Sequence, residues 1–74
     1  MGDATKRFYV VHYLQRHQRD RSSGTSQAKI NVIATNLIAA ARVGERLAKR
    51  EAALDGFYFE RLYKVVGKGP VANG

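Results

Sequence analysis

The sequence predicts an α+β domain of element order β-β-α-β, a small antiparallel sheet with one amphipathic helix packed on one face. Three observations predict it. Residues 35–54 repeat small and apolar side chains at helical spacing, three other stretches are dense in β-branched and aromatic residues, and polar or glycine-containing segments separate them. The chain has 74 residues and no cysteine. It is therefore one domain with a modest core, braced by neither disulfides nor a thiolate-bound metal.

The first strand is expected in residues 6–17, KRFYVVHYLQRH. Val and aromatic side chains suit a pleated surface and lose freedom in a helix. Alternation puts Phe8, Val10, His12 and Leu14 on one face and Tyr9, Val11, Tyr13 and Gln15 on the other. Both faces are largely apolar. Residues 16–26, RHQRDRSSGTS, contain no hydrophobic residue and read as a basic hairpin loop carrying Arg16, Arg19 and Arg21.

Residues 27–34 admit two readings. Ala28, Ile30, Val32 and Ala34 alternate with Lys29, Asn31 and Ile33 as in a strand. Ile30 and Ile33 also extend the later helical stripe at heptad spacing, so a single long helix from about residue 26 to 54, in a dimeric DNA-binding regulator, is the competing reading. The fall in β-branched density at Thr35, where capping residues appear, favours the strand.

The helix itself is the clearest element. Leu37, Ala40, Ala41, Gly44, Leu47 and Ala48 share one face, and Arg42, Arg46, Lys49 and Arg50 fall on the other. Thr35 or Asn36 can cap its start, and Asp55-Gly56 can end it. Gly44 lies in the small-residue stripe and costs helix propensity, which close packing on an aromatic ring would offset. Gly56 then opens a third strand, GFYFERLYKVVG. Alternation there places Phe57, Phe59, Tyr63 and Val65 toward the helix, with Arg61 among them needing an acid such as Glu51. The folded domain is expected to span residues 1–66 and the glycine-rich residues 67–74 to form a disordered tail.

A formal net charge of +7 on so small a domain favours polyanionic partners. With only three strands and one helix, one face of the sheet has no second layer, and Tyr9, Val11, Tyr13 and Tyr58 are expected to lie exposed on it. Tyrosines among cations can stack bases while Arg7 and Lys29 hold phosphates. The candidate nucleic-acid or partner-binding residues are accordingly Tyr9, Tyr13, Arg16, Arg19, Arg21, Lys29, Arg42, Arg46, Lys49 and Arg50. The partners expected are DNA, RNA or a nucleoprotein complex, and burial of the tyrosine face in a homodimer is compatible with any of them.

Catalysis is not expected. Acids are scattered, and His12 and His17 fall on opposite faces of a strand, so no metal or other cofactor is expected. Gly67-Lys68-Gly69 lacks the spacing of a phosphate-binding loop. No run reaches the roughly 20 apolar residues of a membrane span, and the N-terminal MGDATKR lacks a signal-peptide core. The expected setting is cytoplasmic.

From residue 30 to 65 the order of strand (KINVIA), polar cap, Ala-rich helix (LIAAARVGERLA), glycine and aromatic-aliphatic strand (GFYFERLYKV) resembles very small phage-encoded β-β-α-β proteins, some anti-CRISPR proteins of type I systems among them. The resemblance implies a non-catalytic inhibitor whose basic residues contact a surveillance complex or its DNA path. It covers about half the chain and carries over no signature residue.

Overall fold

A computed structural model describes residues 6–20, 22 and 24–71. The elements follow the expected order: β1 (Arg7–His17), β2 (Thr25–Ala34), α1 (Leu37–Leu54) and β3 (Phe57–Pro70). Residues 25–34 are strand, so the single long helix is excluded. The sheet is antiparallel in the order β2-β1-β3. β2 and β3 thus run parallel to one another on either side of β1, and α1 carries the chain across from one edge to the other.

Local chemistry sets the helix bounds. The Asn36 side chain accepts a hydrogen bond from the Ala39 N–H at 2.8 Å from an extended backbone, satisfying one of the first-turn donors that has no helical partner. At the other end Asp55 closes the last turn onto the Glu51 and Ala52 carbonyls, and Gly56 adopts φ +83°, a conformation costly for any side chain. The hairpin loop is tied to this same corner. The Gln18 N–H donates to the Gly56 carbonyl at 3.0 Å and its side chain to the Phe57 carbonyl at 2.9 Å.

The core lies between α1 and one sheet face. Tyr9, Val11, Tyr13, Val32, Ala34, Ala40, Ala48 and Ala52 are buried. This corrects the expected exposure of Tyr9, Val11 and Tyr13. The β1–β2 register explains the outcome: it aligns Tyr9 with Val32, Val11 with Ile30 and Tyr13 with Ala28, all on the apolar side of β2. Two flat tyrosine rings can fill this layer because the helix offers Ala40, Gly44, Ala48 and Ala52 as its contact ridge. Gly44 meets Val11 rather than the expected aromatic ring; a Cβ there would stand 2.6 Å from Val11 Cγ2.

β3 departs from simple alternation. Its pairing with β1 shifts between Phe8 and Tyr9, between His12 and Tyr13, and between Leu14 and Gln15. Each shift spends an extra β3 residue and resets which side chains face inward. Leu62 therefore lies opposite Tyr13 and packs on the core, Arg61 lies opposite Leu14 on the far face, and Tyr63 stands at the β3 edge. The expected inward set of Phe57, Phe59, Arg61, Tyr63 and Val65 is corrected to Phe57, Phe59, Leu62 and Val65, and Arg61 is exposed without needing Glu51. The domain also extends beyond residue 66. Gly67, Gly69 and Pro70 pair with Tyr9, Phe8 and Arg7, and the Val71 N–H donates to the Lys6 carbonyl at 3.0 Å. Residues 67–70 belong to the sheet, with Tyr9 lying against Gly67; residues 1–5 and 72–74 fall outside the described residues.

Candidate functional site

Two surfaces collect the exposed cations, and they lie on opposite sides of the domain. The first is the outer face of α1. Arg42, Arg46 and Arg50 are exposed and four residues apart, so each step advances only about 40° around the helix. Lys49 falls beside them. The four head groups share one stripe about 12 Å long, bordering a shallow depression they form with Glu45. Lys49 Nζ sits 3.1 Å from a Glu45 carboxylate oxygen and 5.8 Å from the Phe59 ring centroid, which leans it toward β3. Among the described residues, Arg42, Arg46 and Arg50 have no carboxylate at ion-pair distance. Three uncompensated guanidinium groups in a row suit phosphate, which each can grip in pairs of hydrogen bonds.

The second surface is the sheet face turned away from α1. Along β1 it carries Phe8, Val10, His12, Leu14 and Arg16. The register puts Ile33, Asn31, Lys29 and Gln27 beside them on β2, and Val66, Lys64, Arg61 and Tyr58 on β3. Phe8, Ile33 and Tyr63 are exposed. The Tyr63 ring leans on His12 with centroids 5.9 Å apart and planes tilted by 50°. His12 lies directly opposite Lys29 on one side and Lys64 on the other. At one end Arg16 Nε donates to Glu60 at 2.9 Å, and this bond, with the Glu60 charge, raises the guanidinium pKa further.

The expected site residues divide accordingly. Arg42, Arg46, Lys49 and Arg50 come together as one stripe, and Lys29 joins the open sheet face. Tyr9 and Tyr13 are core residues and offer no ring for stacking, which corrects their place in the site. The Tyr13 phenol is pushed up by burial first and then by the Glu51 and Asp55 carboxylates. Arg16 belongs to β1 rather than to a loose loop, since its partner Glu60 fixes it on the sheet. Arg19 is exposed in the loop, and Arg21 lies outside the described residues. Phe8, His12, Arg61, Tyr63 and Lys64 were not singled out from sequence. Alternation alone puts Phe8 and His12 on one face of β1; Arg61 and Tyr63 join them through the β3 register shifts, which leave no mark in alternation.

The histidines have separate local roles. His12 packs on Tyr63, while His17 Nδ1 accepts the Arg19 and Asp20 N–H groups at 3.2 and 3.3 Å and its ring meets Phe57 edge-on. Nδ1 is thereby an acceptor that shapes the turn. No group of three or more His, Asp or Glu side chains able to hold a metal occurs among the described residues. Among those residues no helix is long and apolar enough to cross a membrane. Compared with protein-family models, curated proteins and solved structures, the chain finds no match in any of the three.

Proposed function

We propose that this is a non-catalytic binding protein that docks on nucleic acid or on a nucleoprotein complex through the outer face of α1. The observation that carries the reading is the row Arg42, Arg46 and Arg50, exposed at four-residue spacing with no ion-pair partner among the described residues. A charge row that only served solubility would gain from interspersed acids. Here the one acid on the stripe, Glu45, is held by Lys49. The helix supports the row on a fixed frame, so little conformational freedom beyond that of the guanidinium arms is lost on binding.

Electrophoretic mobility shift at several salt concentrations tests this. Binding to duplex DNA should weaken as salt rises, with a slope of log K against log salt near −0.9 for each phosphate engaged. Replacing Arg42, Arg46 and Arg50 together by Gln should flatten that slope by about 3. A slope unchanged in the triple variant removes the stripe from the interface. The inhibitor form of the reading, docking on a nucleoprotein complex in the manner of very small phage proteins, predicts instead that bare DNA is ignored and that the protein co-migrates with the assembled complex.

A further inference from the structure

We infer that the open face of the sheet is a binding site for single-stranded nucleic acid, with bases stacked on Phe8 and Tyr63 and phosphates held by Lys29 and Lys64. The inference rests on the nucleic-acid form of the reading above and adds to it a second surface and the strandedness of the ligand. Three observations support it. The rings are available: Phe8 is 42% and Tyr63 40% exposed, although both belong to ordered strands. The charge is one-sided. Lys29 and Lys64 flank His12 in one row across the sheet and Arg61 lies opposite Leu14, while Glu60, the acid of this face among the described residues, is tied to Arg16 at 2.9 Å. The surface is also shaped for it. His12, Gln27, Ala28, Lys29 and Tyr63 line a shallow hollow, with the two lysines about 10 Å apart across two strand spacings.

Charge argues against a second copy as the occupant: two copies would set Lys29, Arg61 and Lys64 against their own like charges. A duplex is a poor fit because its bases are stacked on one another and expose no face to a protein ring, whereas every unpaired base offers one.

Fluorescence anisotropy with labelled oligothymidylate and oligouridylate about twelve nucleotides long, set against a duplex of equal length, tests the inference. The intact protein should bind both single strands, since an unpaired base offers its flat face to a ring whichever sugar carries it. Phe8→Ala and Tyr63→Ala should each weaken single-strand binding by about 5- to 150-fold, the usual range for losing one stacking ring. Tyr63→Phe keeps the ring and should keep the affinity, which separates lost stacking from a lost fold. Lys29→Ala and Lys64→Ala should each flatten the single-strand salt slope by about 0.7. Single-strand binding that is untouched by the ring variants but abolished by the Arg42, Arg46 and Arg50 substitutions overturns the inference and leaves the helix reading standing. A stable dimer that Phe8→Ala dissociates also overturns it. Binding to neither single strand nor duplex overturns the inference and the direct nucleic-acid form of the helix reading, and leaves only docking on an assembled nucleoprotein complex.

Discussion

Substituting Gly44 by Ala puts the packing account under direct strain. On helix propensity alone the change should stabilise the protein by about 1 kcal/mol. The structure predicts the reverse. The added Cβ would stand 2.6, 2.8 and 2.9 Å from Val11 Cγ2, Cγ1 and Cβ, about 1 Å short of an ordinary carbon contact at the nearest. Val11 is fully buried on the central strand, registered against Ile30 and Val65. One of the three crowded atoms is its own Cβ, so no rotamer change clears the clash. The helix must lift, which loosens Ala40, Ala48 and Ala52 along the same ridge. Overpacking of this kind costs about 3 kcal/mol at the upper end of its range, leaving a net loss of about 2 kcal/mol. For a domain of this size that lowers Tm by roughly 8 to 16 °C, a large share of a total stability of about 4 to 11 kcal/mol. Thermal unfolding followed by circular dichroism measures it. Val11→Ala alone should cost about 2 kcal/mol, and the double variant should fall short of additivity by 1 kcal/mol or more. A Gly44→Ala protein as stable as the parent, or more so, refutes the close helix–sheet contact.

Other perturbations separate other parts of the account. Leu62→Ala should cost 2 kcal/mol or more because Leu62 packs on the core, while Tyr63→Ala should cost less than about 1 kcal/mol; the reverse order in urea unfolding would restore plain alternation along β3. The Tyr13 phenol is raised in the folded state, so its neutral form contributes stability that is complete below the ordinary phenol value of about 10. That contribution disappears as pH climbs through the higher folded value. Chemical denaturation between about pH 9 and 11 should show a shallower loss in Tyr13→Phe than in the parent, and equal slopes would contradict the burial. Glu45→Gln should release Lys49 from its 3.1 Å pair and raise duplex affinity several-fold at low salt; a weaker complex would mean that Glu45 itself meets the ligand.

The helix, its caps and the order of elements along the chain were legible because each rests on local chemistry. Asn36 caps through its own side chain, Gly56 takes a backbone shape other residues avoid, and the small stripe from Ala40 to Ala52 lies on one face whatever packs against it. Which sheet face the helix covers was not legible. Both faces of β1 are apolar, so alternation divides Tyr9, Val11 and Tyr13 from Phe8, Val10 and Leu14 without ranking them. The decision sits in the pairing with Val32 and Ala34, a contact between strands. β3 hid more. Its register shifts exchange Leu62 for Tyr63 in the core, and its glycines read as a tail although Gly67 and Gly69 pair with β1. The helix cations were found from sequence because helical spacing alone brings Arg42, Arg46 and Arg50 together. The row of Lys29, His12 and Lys64 was missed because three strands must be registered before it exists.

The most direct test of the proposed engagement of nucleic acid by both the helix and the open sheet is an amide chemical-shift map, recorded while unlabelled oligothymidylate and then duplex DNA are added to the isotope-labelled protein. Single strand should move the amides around Phe8, His12, Lys29 and Lys64, and duplex those of Arg42, Arg46, Lys49 and Arg50, with the core amides of Val32 and Ala52 nearly still. Spectra that do not change with either ligand at low salt would contradict direct engagement of nucleic acid by either surface.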